Sequence, residues 1–185
     1  YGGDTLNTAV YLARLGAGVD YITALGDDSL SDELIAGWAA EGVGTKRVLR
    51  LPGKLPGLYM IETDAKGERK FFHWRDSAAA RQLMSLPETN SILVSLAGYD
   101  LVYLSAITLS IYDAAGRDRL FAAIRRARLL GTRFVFDTNF RARGWRADVP
   151  VYRLDTSKIR KLGWANLKSS REAVVAAVRS LLAEI

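Results

Sequence analysis

The sequence predicts an α/β domain built on a parallel sheet, with a small antiparallel hairpin inserted into it. Three observations point there. Helical and extended patterns alternate over residues 4–51 and again over residues 101–137. Two strand-like runs, Leu101–Ser105 and Arg133–Asp137, flank one long helical pattern, the crossover length that a parallel pair requires. Between the two α/β stretches lie two amphipathic strand-like runs joined by a turn ending in Gly67.

In order, Asp4–Leu15 reads as a helix whose apolar stripe is Leu6, Ala9, Val10 and Ala13, with Asp4 or Thr5 as its cap and Gly16 at the left-handed position after it. Val19–Leu25 (VDYITAL) reads as one buried strand, and Gly26–Asp28 as a turn. Ser31 is expected to cap a helix over Asp32–Glu41 that Gly42 ends. Val48–Leu51 is a short strand. Leu58–Thr63 and Arg69–Arg75 form the hairpin around Asp64–Gly67, and residues 77–95 are helical with a break at Pro87. The strand Leu101–Ser105, the helix Asp113–Leu130 and the strand Arg133–Asp137 follow. The strands of residues 19–25, 101–105 and 133–137 are expected to be neighbours in one sheet, with the hairpin projecting from it.

Composition narrows the chemistry. The 185 residues are 49% apolar and 25% charged, which excludes a disordered or collagen-like chain. With no cysteine and one histidine, a Cys/His zinc site and a thiol nucleophile are impossible. No apolar run approaches the roughly 20 residues of a membrane helix, so no membrane partner is expected. The first residue is Tyr1 and no signal peptide precedes it, so the start is expected to fall inside a longer gene product. Charge is uneven: residues 1–114 carry a net −4 and residues 115–185 a net +10. Solvated helix faces explain such basic runs, and nucleic-acid binding would rest on charge alone.

Three clusters can hold chemistry. Gly2–Gly3–Asp4–Thr5–Leu6–Asn7 opens a helix with two glycines, letting a ligand approach backbone amides; it reads equally as a loop and cap. Asp137–Thr138–Asn139–Phe140–Arg141 leaves the carboxyl end of a parallel strand, where open α/β sheets bind ligands; it reads equally as a polar exit loop. On the hairpin, Tyr59, Trp74 and Arg75 suit a sugar acid, the rings packing on carbon and the guanidinium gripping a carboxylate; they read equally as an ordinary amphipathic hairpin. His73 alternates with Trp74 and is expected to face the other way as a surface or packing residue.

The combination is more specific than its parts. GGDTLNTAVYLARLGAGVDYITALGDDSLSDEL resembles the N-terminal region of ribokinase-like (PfkB) sugar kinases. LPGLYMIETDAKGERKFFHWRDSAAA and FDTNFRARGW resemble the 2-keto-3-deoxygluconate kinase branch of that family, and the resemblance spans residues 1–147. It implies a partial ribokinase-like, doubly wound parallel sheet with a hairpin lid over residues 48–75. It implies a cytoplasmic, ATP- and Mg²⁺-dependent kinase acting on a small sugar acid, with homo-oligomers through the lid. By the same resemblance Gly3, Asp4 and Asn7 hold sugar hydroxyls and Tyr59, Trp74 and Arg75 reach down from the lid. Arg141 meets substrate or the transferring phosphate, and Asn139 lies near the nucleotide phosphates.

The family's C-terminal GAGD-type motif, which holds the catalytic Asp, does not occur in this sequence, so the catalytic base is unassigned and this chain alone is expected not to turn over. The family's first strand would precede Tyr1. Residues 148–185 read as an extension with a terminal helix over Ser170–Glu184. Residues 151–185 resemble the tail of nucleotide-sugar epimerases of the extended short-chain dehydrogenase type. The competing function is a non-catalytic sugar-acid-binding or dimerisation module.

Overall fold

The computed structural model describes residues 2–65 and 67–139. The expected extension and its terminal helix, together with Arg141, lie outside the described residues.

Helix α1 (Asp4–Arg14) buries Leu6 and Ala9, and its chain reverses at Gly16 with φ 86°. Two short strands follow, β1 (Val19–Asp20) and β2 (Thr23–Gly26), where the sequence suggests one. The break falls at Tyr21–Ile22. Tyr21 donates its backbone N–H to Gly44 O at 2.9 Å and packs edge-on against Trp38, with ring centroids 5.1 Å apart. Helix α2 (Ser29–Ala40) starts one turn before its expected position. Asp28 is its cap, accepting from Ser31 N at 3.1 Å, while the Ser31 hydroxyl donates to the other Asp28 oxygen at 2.6 Å. Strand β3 (Val43–Gly44) was not expected; it pairs in parallel with β1. Strand β4 (Val48–Leu51) pairs in parallel with β2. Leu6, Ala9, Leu25, Trp38 and Val43 form the first core, between α1, α2 and these strands.

Strands β5 (Leu58–Thr63) and β6 (Arg69–Trp74) form the expected hairpin as a sheet of their own, with β5 exposed along its whole length. A 3₁₀ helix (Ala79–Ser85) and helix α3 (Thr89–Ser95) flank Pro87, as expected. Strand β7 (Leu101–Ser105) runs straight into helix α4 (Ala106–Ser110), which the sequence reading lacked. Its signal was present as Ser105-x-x-Thr108, whose hydroxyls form a reciprocal capping box. Helix α5 (Ala114–Leu129) is capped by Asp113, accepting from Gly116 N at 2.7 Å, and leads to β8 (Arg133–Asp137), the parallel partner of β7. Leu83, Ile92, Leu96, Leu104, Leu120 and Ile124 are among the buried apolar side chains of this half.

One expectation fails. Among the described residues there is no continuous sheet joining residues 19–25, 101–105 and 133–137; there are four two-stranded ladders. β7 and β8 are neighbours, but β1 and β2 are bonded to β3 and β4 instead. β1 and β7 are not joined by a ladder and border an apolar cleft of about 650 Å³ lined by Val19, Ile22, Leu101 and Leu104 among others.

Candidate functional site

The site begins with an inversion of the expected helix cap. Gly3, which has no side chain, is the N-cap residue of α1, and its carbonyl accepts from Asn7 N at 2.8 Å. Asp4 therefore sits in the first turn, where the helix dipole favours a carboxylate. It does not cap its own helix and points instead at the carboxyl ends of β7 and β8. Asp4 Oδ2 accepts from the Ser105 hydroxyl and, at 3.0 Å, from Asn139 Nδ2. Asp4 Oδ1 accepts from Thr5 N at 2.8 Å.

A second carboxylate lies beside the first. Asp137 Oδ1 accepts from Asn139 N at 2.8 Å, an Asx turn that holds Asn139 in the left-handed region at φ 46°. Asp137 Oδ2 accepts from the Tyr103 hydroxyl at 3.2 Å. Burial raises the Tyr103 phenol above its ordinary range; a hydrogen bond with Thr8 opposes this, and Asp137 and Asp4 add to it. Tyr103 therefore stays protonated and can keep donating. Asn139, expected near nucleotide phosphates, thus turns one side-chain N–H and its backbone N–H toward the two carboxylates.

The hairpin reaches this loop through one side chain. A Cβ added at Gly2 would meet the Tyr59 hydroxyl oxygen at 2.7 Å, so the phenol occupies the space that glycine leaves open. The β5–β6 register pairs Tyr59 with His73 and Leu58 with Trp74. Directly opposed residues share a face, so Tyr59 and Trp74 are on opposite faces and do not form the single aromatic face expected of them. His73 does face away from Trp74, and that puts it in a tilted ring contact with Tyr59, centroids 6.3 Å apart. Asn7 and Arg75 are exposed. The sequence reading missed Ser105, Tyr103 and Thr8 as members of the cluster. Ser105 alone left a signal, its capping box.

The donor set decides what this cluster can hold. Two carboxylates, two hydroxyls, a phenol and an amide suit a ligand rich in hydroxyl donors. The cluster contains no cation among the described residues, and no group of three His, Cys, Asp or Glu side chains gathers there to hold a metal ion. The triphosphate of ATP, which the resemblance implies, does not fit these residues, because with no cation beside it among the described residues the phosphates would meet carboxylates. Mg²⁺, which takes one or two carboxylates together with substrate phosphates, would find its protein oxygens on Asp4 and Asp137.

Comparison with known proteins gives the same class. A family model described as pfkB family carbohydrate kinase matches residues 1–162. The chain belongs to the pfkB family of carbohydrate kinases. The 2-dehydro-3-deoxygluconokinase of Dickeya dadantii is 49% identical over 151 residues, covering 80% of this chain and 49% of that protein. Among solved structures, the Thermotoga maritima 2-dehydro-3-deoxygluconokinase has a TM-score of 0.65 at 26% identity, over 78% of this chain and 44% of that one. A fructokinase from Xylella fastidiosa with bound ATP has a TM-score of 0.64 at 28% identity, over 87% of this chain and 47% of that one. The chain spans about half the length of the curated relatives it matches. The pfkB match continues past residue 147 to residue 162, into the segment that resembles an epimerase tail, and that epimerase resemblance gains no support from these comparisons.

Proposed function

We propose that the full-length protein phosphorylates a hydroxyl group of 2-keto-3-deoxygluconate (2-dehydro-3-deoxygluconate), and that the described residues form its sugar-holding part. The observation behind this reading is the Asp4 carboxylate, fixed beside Asp137 at the strand ends next to the Gly2–Gly3 loop over which Tyr59 lies. A fixed carboxylate accepts hydrogen bonds from sugar hydroxyls, and an aromatic ring above it packs on the carbon skeleton. The 49% identity to a 2-dehydro-3-deoxygluconokinase supports the choice of sugar acid over neutral sugar.

ATP, bound by residues beyond the described cluster and accompanied by Mg²⁺, supplies the transferable phosphoryl group. The residues described here bind and orient the acceptor. Arg75 and Arg141 are proposed to meet the sugar carboxylate and the transferring phosphate. Asn7 completes the acceptor contacts. The Trp74 face of the hairpin, with Leu58 and Met60 also exposed, supports pairing of two copies through the hairpin. No described helix is long and apolar enough to cross a membrane. A cytoplasmic location, where ATP is available, accords with this reading.

A coupled ADP-release assay on the full-length protein with ATP, Mg²⁺ and either 2-keto-3-deoxygluconate or fructose tests the reading. Preferred turnover of the sugar acid is expected. Preferred turnover of fructose, or of neither, would reject it.

A further inference from the structure

Ser105 does two things with one hydroxyl. Its oxygen accepts from Thr108 N at 3.4 Å as the cap of α4, while Thr108 Oγ1 accepts from Ser105 N at 3.3 Å. A serine hydroxyl has a single proton, and this one is donated to Asp4 Oδ2, across 101 residues of sequence. A helix cap needs only the acceptor half of the hydroxyl, so capping alone leaves the bond to Asp4 unexplained. Ser105 is fully buried, with 0% of its surface exposed, so bulk water does not compete for that proton.

The effect falls on Asp4. A carboxylate offers about four lone-pair positions. The described residues fill three of them, through Ser105 Oγ, Asn139 Nδ2 and Thr5 N. The carboxylate is thereby held from three directions, with one acceptor position left for a ligand. We propose that Ser105 is a positioning residue of the sugar site, whose buried hydroxyl orients the Asp4 carboxylate so that its remaining acceptor position meets a sugar hydroxyl. This rests on the sugar-kinase reading given above.

The test compares Ser105→Ala with Thr108→Ala in the full-length protein. Thr108→Ala breaks the other half of the capping box and leaves the Ser105–Asp4 bond in place. Ser105→Ala should raise the KM for 2-keto-3-deoxygluconate about tenfold, the scale of one hydrogen bond to a charged group, with the KM for ATP changed by less than about twofold. Thr108→Ala should leave both constants near wild type. In an Asp4→Ala background, Ser105→Ala should add nothing further to the sugar KM. If Ser105→Ala does not accumulate as folded protein, Ser105→Cys, close in size and a weak donor, should show the same KM pattern. Equal effects of the Ser105 and Thr108 variants, or additivity with Asp4→Ala, would overturn the proposal. If the wild type prefers a different sugar, the sugar-acid reading fails, and the same comparison with the preferred sugar still decides the role of Ser105. A wild type that binds no sugar overturns both.

Discussion

At Gly2 the consequence of one methyl group is set by one atom. The Tyr59 hydroxyl lies 2.7 Å from where that carbon would stand, and it is the far end of a side chain 42% exposed. The phenol can swing aside, so Gly2→Ala should change stability by less than about 0.5 kcal/mol. It should nevertheless raise the KM for the sugar, because the hairpin side chain is displaced from the loop it covers. The effect should vanish in a Tyr59→Phe background, which lacks the clashing oxygen; melting curves and KM values for the two single variants and the double variant check this. Additive KM effects would show that Tyr59 and Gly2 act separately. At this scale the sequence names Gly3, Asp4 and Asn139 through residue type and position beside predicted helix and strand ends. It shows Ser105 only as a helix cap, because nothing local records a hydrogen bond to a residue 101 positions away. It hides the separation of Tyr59 from Trp74, because a hairpin's faces depend on register and not on composition.

Elements with strong periodicity and clear punctuation were the legible ones. α5, the hairpin, β4, β7 and β8 all occur where apolar pattern and turn residues place them. The two-residue strands β1 and β3 are too short to have a period, so their pairing of Val19 with Val43 and Asp20 with Gly44 leaves no local pattern. The start of α2 was misread because Asp28 and Ser31 are both good caps, and only the fold selects between them. That selection leaves a pH signature. Hydrogen bonds from Ser31 hold the Asp28 carboxyl below its usual range. A group whose pKa is depressed on folding contributes stability above its unfolded pKa and loses that contribution as pH falls through the folded value. The protein should therefore lose stability as pH drops through and below the ordinary carboxylate range of about 4. Asp28→Asn keeps a good cap without a titrating group, so its thermal stability should depend less steeply on acid pH than that of the wild type. An unchanged acid slope would show that the Asp28–Ser31 contact does not persist in solution.

Over the whole molecule, the site exists because three distant pieces of chain end at one place. Asp4 opens α1, Ser105 closes β7 and Asn139 follows β8, so residues 101 and 135 positions from Asp4 share one of its carboxylate oxygens. The α/β rhythm made the parallel β7–β8 pair legible and put polar residues at its carboxyl end. It did not reveal that β1 and β2 would bond to β3 and β4, since ladder partners are chosen by three-dimensional packing. The account stands or falls on Asp4 as the acceptor for a sugar hydroxyl. Calorimetric titration of 2-keto-3-deoxygluconate into the wild type and into Asp4→Asn measures this most directly. The account predicts measurable binding by the wild type and affinity about tenfold weaker or more in the variant, with a comparable melting temperature. Equal affinity in the two proteins would contradict it.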